Sequence, residues 1–183
     1  MQAASASELA RRRHRIVSAV RELTDLEFVN GGGTGSLEAS AADGSLTEVA
    51  AGSGLYSPGL FDGYSHFRHT PAAYFVTPVV RRPGPSWVTV SKGGFIASGV
   101  PGPDRLPTIA WPPGLSYSGL EGAGEVQTPL RGPGTERLRL GDLVWFRHAK
   151  AGEIAEHFDR FLVVAGGEIT DEWTTCRGEG LVL

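Results

Sequence analysis

The residues Gly31-Gly32-Gly33-Thr34-Gly35-Ser36 form the first constellation with chemical potential. Glycines after a strand let the backbone approach an anion closely and turn several N–H groups toward it, and Thr34 and Ser36 add hydroxyl donors. No lysine follows the glycines, so this is not a Walker A loop. No helix and second strand clearly follow either, which makes it a poor dinucleotide fingerprint. By spacing alone the segment either binds a phosphate group or serves as a flexible turn between two domains. The second constellation is His148-Ala149-Lys150, at the end of a strongly apolar strand over 142–148. Residues two apart in a strand share a face, so His148 and Lys150 are expected on one side, with Glu153 and Glu156 in reach. A lone histidine at a strand end is, on its own, a hydrogen-bonded structural residue. His66 and His69 need a third ligand to hold a metal and read as surface residues. Glu121 and Glu125 flank glycines and read as a solvated strand edge. Near the C-terminus, Cys176, Arg177 and Glu179 make a polar cluster; Cys176 has no base beside it to activate a thiol.

The elements that must position these groups fall into two textures. A helix is expected over 5–24, with Ser5 and Glu8 as a capping box and Leu9, Ile16, Val17, Val20 and Leu23 as one apolar stripe. Arg11, Arg12, Arg13, His14 and Arg15 read as its solvated face. A short strand over 26–30 then runs into the glycine loop, a fragment of an α/β pattern. From residue 45 onward, strand-length apolar stretches alternate with Gly/Pro turns, at 46–49, 73–80, 87–90, 95–98, 106–111, 115–120, 142–148, 161–165 and 168–173. The expected architecture is mainly β: a C-terminal β-barrel or sandwich domain, 45–183, preceded over 1–44 by one residual α/β unit of a truncated (β/α)8 barrel. A complete barrel of that kind takes about 250 residues, more than the 183 present.

Composition agrees. Gly 26 and Pro 12 favour turns and short strands over a helical bundle. A net charge of −3 gives no general pull toward nucleic acid or anionic membranes. The single cysteine excludes an internal disulfide and any multi-cysteine zinc site. No apolar run approaches the ~20 residues of a membrane span, and no apolar segment follows the N-terminal arginines as in a secretory signal. A soluble, cytoplasmic protein with no nucleic-acid and no membrane partner is expected.

Taken in order, residues 30–36, Thr47-Glu48-Val49-Ala50-Ala51-Gly52-Ser53, Arg139-Leu140-Gly141-Asp142 and Arg147-His148-Ala149-Lys150-Ala151-Gly152-Glu153 resemble the C-terminal part of the D-serine dehydratase / D-threonine aldolase family. The bacterial amino acid deaminase/aldolase branch is the nearest. The resemblance runs from about residue 20 to the end. It implies an alanine-racemase-type fold and pyridoxal phosphate, with Gly32, Gly33, Thr34, Gly35 and Ser36 holding the cofactor phosphate. It also implies a lyase, either a deaminase/dehydratase or a retro-aldolase, acting on D-β-hydroxy amino acids such as D-serine or D-threonine.

Two departures follow. The family's Schiff-base lysine lies upstream of the matched stretch, and the only lysines here, Lys92 and Lys150, do not match its context. A C-terminal fragment is therefore expected, inactive without the missing barrel, with an N-terminal barrel chain or a homodimer as partner. Relatives also bind a divalent ion through a histidine and a second ligand two residues later. His148 matches the first position as catalytic or metal-binding residue, but Lys150 occupies the second, and an ammonium has no lone pair to offer. Relatives tend to carry a further histidine in the stretch resembling 121–127, where none is present. Metal independence is expected, with His148 and Lys150 facing the substrate hydroxyl. The alternative reading is a non-catalytic β domain that binds a partner chain or a small anion.

Overall fold

In the computed structural model, which describes residues 2–181, α1 spans Gln2–Arg21. Residues 1, 182 and 183 of the expected domain ranges lie outside the described residues. The helix starts earlier than the capping box predicts: Ser5 lies inside it, and Glu8 turns forward to accept from Arg11 Nε at 3.0 Å and Arg12 Nε at 2.6 Å. Those bonds hold the Glu8 carboxyl below its usual range. Of the apolar stripe only Val17 is buried, whereas Leu9, Ile16 and Leu23 are exposed. The basic face is not all solvated either, because Arg13 pairs with Asp43.

The chain divides into two compact units, Met1–Leu55 and Tyr56–Leu183. In the first, the strand expected over 26–30 shrinks to β1, Asn30–Gly31. Upstream, Val29 is bound to Thr47, donating to its Oγ1 at 2.8 Å and accepting from its N–H at 3.0 Å. A short helix α2, Leu37–Ala41, and a strand β2, Glu48–Val49, follow, and β2 pairs parallel to β1. The expectation that no helix and second strand follow the glycines is thereby corrected. Five residues are too few to show a helical period.

The second unit is built from β3 (Phe75–Gly84), β4 (Trp87–Ser91), β5 (Thr108–Trp111), β6 (Ser116–Tyr117), β7 (Gln127–Arg131) and β8 (Leu143–Arg147). They form one antiparallel six-stranded sheet in the order β5-β8-β3-β4-β7-β6. The two edge strands, β5 and β6, are consecutive in sequence and joined only by residues 112–115, so the sheet must curl until its edges approach. The Tyr117 hydroxyl donates across that seam to the Pro107 carbonyl at 2.8 Å. Gly132 lies beside the same turn with φ 123°, and a Cβ there would fall 2.3 Å from the Gly114 oxygen. The result is a nearly closed six-stranded barrel.

Alternation explains the filling. Phe75, Thr77 and Val79 on β3 and Val144 and Phe146 on β8 point inward, while Val76 and Trp145 point out. Phe75 stacks on Phe146 at 5.1 Å and meets Phe95 edge-on at 4.8 Å. Val88, Val90, Leu130, Leu138 and Ile154 complete the core. β7 was not expected, because Pro129 in its middle reads as a turn. The expected strand 95–98 is a loop in which Ile96 N–H bonds back to Gly94 at 3.0 Å. α3, Ala151–His157, follows β8 and leads to a hairpin of β9 (Arg160–Ala165) and β10 (Glu168–Thr174). Among the described residues no helix is long and apolar enough to cross a membrane.

Candidate functional site

The first unit presents two loops that leave the carboxyl ends of its parallel strands. After β1, Gly32 takes φ 97°, and a Cβ there would lie 3.0 Å from both Ser40 Oγ and Val49 Cγ1. Only glycine fits that turn without strain. Gly33 is extended, and open space surrounds the position its Cβ would take. A single 3-10 turn, Thr34–Ser36, then leads into α2. After β2, residues 50–52 lead into the turn Ser53–Leu55.

Hydroxyls link these loops. Thr34 Oγ1 and Ser53 Oγ are 3.1 Å apart, and Ser40 Oγ donates to Ser36 Oγ at 3.3 Å. Gly54 packs against Thr34, its Cβ position 3.1 Å from Thr34 Oγ1. Behind them, Asp43 accepts from the Ser45 N–H and hydroxyl at 3.0 and 2.6 Å as well as from Arg13, and these bonds hold its carboxyl low. The segment 31–36 contains no carboxylate, is rich in hydroxyls, and opens where the backbone begins a helical turn. The lack of negative charge and the hydroxyls of Thr34 and Ser53 fit a phosphate group, whereas Ser36 gives its N–H and hydroxyl to the Gly33 carbonyl at 2.9 and 3.4 Å.

In the second unit, β8 ends at Arg147, so His148 and Lys150 lie beyond the strand and do not share a strand face as expected. The two side chains have different surroundings. His148 is 2% exposed, and neither ring nitrogen has a hydrogen-bond partner of good geometry. Burial lowers its pKa to about 4, and the Arg147 charge acts in the same sense; the Ala73 backbone and Glu153 oppose them. The ring is therefore neutral at neutral pH. Lys150 is half-buried, directly precedes α3, and donates from Nζ to Ser98 Oγ at 3.3 Å. The Glu153 carboxylate accepts from Ser98 N–H at 2.5 Å. Burial pushes Glu153 up, but the Ser98 bonds and the Lys150 charge leave it below its usual range.

Arg147, which sequence reasoning missed, organises this region. Its Nε and Nη2 donate to the Ser57 carbonyl at 2.9 and 2.7 Å, and its Nη1 and Nη2 grip Asp62 at 2.7 and 2.8 Å. The segment so held returns to the loop, with Gly59 N–H bonding the His148 carbonyl at 2.9 Å and Leu60 N–H bonding the Ala149 carbonyl at 3.1 Å. His69 is not a surface residue: its Nε2 lies 3.3 Å from Arg147 Nη2, and its ring meets Phe61 and Phe67 edge-on. His66 is exposed, in ring contact with Tyr64 and Phe67. A recess of about 240 Å³ opens beside the loop, lined by Gly59, Leu60, Asp104, Thr108 and Ala149 among others.

The remaining candidates stay peripheral. Glu121 and Glu125 are exposed; Cys176 is an exposed free thiol; Arg177 pairs with Glu156 at 2.9 Å. Among the described residues no three His, Cys, Asp or Glu side chains gather as a metal site would need. With a lysine two residues from the one buried imidazole, the donors present do not fit a divalent ion.

The second unit is thus a nearly closed antiparallel barrel of the class found as the C-terminal domain of D-threonine aldolase. The chain is 28% identical over 178 residues to a D-threonine aldolase from Arthrobacter sp, covering 91% of this chain and 45% of that protein. The crystal structure of D-threonine aldolase from Filomicrobium marinum matches it with a TM-score of 0.77 at 21% identity, covering 96% of this chain and 47% of that one. No family model matches. These likenesses bear out the resemblance to the C-terminal part of the D-serine dehydratase / D-threonine aldolase family. The chain spans about half the length of the relatives it matches.

Proposed function

We propose that this chain is the C-terminal portion of a pyridoxal-phosphate-dependent lyase acting on D-β-hydroxy amino acids such as D-serine or D-threonine. On this reading the expected boundary at 44/45 moves to 55/56, with residues 1–55 as the closing part of a (β/α) barrel and 56–183 as the accompanying β domain. The observation that carries it is the glycine loop at the carboxyl end of a parallel strand pair, ringed by Thr34, Ser36, Ser40 and Ser53. Ligands of open α/β sheets and barrels bind at that end. Gly32, Gly33, Thr34, Gly35 and Ser36 would hold the cofactor phosphate. Pyridoxal phosphate, when bound, withdraws electrons from the amino-acid α-carbon.

This chain's own residues supply part of what remains. This reading assigns His148 and Lys150 to the substrate hydroxyl, the imidazole as acceptor and the ammonium as a hydrogen-bond donor from Nζ. Lys92, in a left-handed turn after β4 with φ 57°, and Lys150, which donates to Ser98 Oγ, do not match the sequence context of the family's anchoring lysine. The anchoring lysine, and with it turnover, is expected from a barrel chain or from a longer form of this one, and a homodimer is compatible. The second reading, a non-catalytic β domain that binds a partner chain or a small anion, is favoured by the lack of a lysine in the family's anchoring context, since Lys92 and Lys150 do not match it.

Equilibrium dialysis of the chain against pyridoxal phosphate, with borohydride reduction and peptide mapping of the bound fraction, tests the assignment. The expected result is cofactor retention that inorganic phosphate competes away, with no lysine tagged. Retention unaffected by phosphate, or no retention at all, would leave the second reading in its place.

A further inference from the structure

Antiparallel strands with one face in the core and the other in water alternate apolar and polar residues. β3 and β8 do not. Between the buried Phe75, Val79, Val144 and Phe146 they turn outward Val76, Val80, Leu143 and Trp145, which are 38–44% exposed. The register joins these side chains into one surface, because Val76 and Trp111 both stand opposite Trp145, from the two strands that flank β8. Trp111 reaches that face through a slip in β5. Ile109 pairs with Phe146 and Trp111 with Trp145, so Ala110 is an extra residue. The slip turns outward an indole that alternation after the core-packed Ile109 would send inward. Trp111 is 56% exposed, and a recess of about 440 Å³ opens beside it, lined by Tyr74, Ala110, Trp111 and Trp145. One surface thus holds both a projecting indole and a hollow with aromatic walls.

We infer that this face binds a second copy of the chain about a two-fold axis, the Trp111 indole of each copy entering the recess against Trp145 of the other. A two-fold contact sets one patch against itself, and like charges brought together there would oppose it. The residues that form this patch include no Asp, Glu, Lys or Arg, so it meets its own copy without that penalty. Trp and Tyr are also the side chains that dominate interface energies. Three strands about 4.8 Å apart, over the length of Tyr74 to Val80, give a footprint of roughly 23 by 14 Å. That lies at the small end of the standard interface range, so the dimer is reversible. The claim does not depend on the phosphate reading of the first unit.

Sedimentation equilibrium of the full chain tests it, in a Leu9→Glu/Ile16→Glu background so that the apolar face of α1 takes no part. That chain is expected to be a reversible monomer–dimer, and adding Trp111→Lys should weaken association at least tenfold. Val76→Lys, on β3 of the same face, serves as a second variant, and far-UV circular dichroism establishes that each is folded. Mixing Trp111→Lys with Trp145→Glu chains should give tighter association than either alone, because the lysine of one copy then meets the glutamate of the other. A monomer at every concentration overturns the proposal, as does a dimer that folded Trp111→Lys and Val76→Lys leave intact. No gain from mixing the folded variants overturns the two-fold pairing of Trp111 with Trp145.

Discussion

His148 contributes a pH dependence to the stability of the second unit. Its pKa falls from 6.5 to about 4 on folding, so between these values the unfolded chain binds the extra proton and the folded chain does not. Stability from this group is complete above 6.5 and is lost as pH falls toward 4. Between pH 7 and pH 5 the loss is about 2 kcal/mol by linkage. Urea denaturation at both pH values should show that loss in the wild type and little of it in His148→Gln; equal losses would mean the ring is not buried neutral. Arg147 is the other decisive residue. Lys cannot reproduce its fork to Ser57 and Asp62, so Arg147→Lys should destabilise by about 2–3 kcal/mol. Amide exchange should speed up at Gly59 and Leu60, the two N–H groups bonded to the His148 and Ala149 carbonyls.

At the scale of elements, the glycine loop and the barrel seam make separate claims. Gly32→Ala places a Cβ at φ 97° against Ser40 and Val49; a cost of about 1–2 kcal/mol is expected. Thermal melting reads that cost, and a matched Gly33→Ala control, in open space with an extended backbone, should melt near wild type. Tyr117→Phe removes the bond to Pro107 across the seam and should cost about 1 kcal/mol, read as a shift of the denaturation midpoint. The sequence announces some of these elements plainly. β3 and β8 alternate Phe75, Thr77, Val79 and Val144, Phe146 against outward residues, and the glycine loop is contiguous. Others carry no local signal. β7 hides behind Pro129, and α2 is a single turn and a half. The Arg147–Asp62 grip joins residues far apart in sequence, so only the folded chain brings them together. The same holds for the meeting of Ser98 with Lys150 and Glu153.

For the molecule as a whole, the two units differ in how they are held. The second owns nearly all of the buried apolar side chains; in the first, Val17 is the one buried apolar side chain among the described residues. Leu9, Ile16, Leu23 and Phe28 are exposed instead, a surface of the kind that associates. Sedimentation velocity should show concentration-dependent self-association of this chain, reduced in Leu9→Glu/Ile16→Glu. A wild-type chain that stays monomeric would show that the α1 face needs no cover. The central claim, however, is the phosphate site in the first unit. The most direct measurement is a ¹H–¹⁵N correlation spectrum of the chain titrated with pyridoxal phosphate and, separately, with inorganic phosphate. Saturable shifts of the amides of residues 32–36 and of Ser53, shared by both ligands, are predicted. Shifts that avoid these residues, or none with either ligand, would contradict the account.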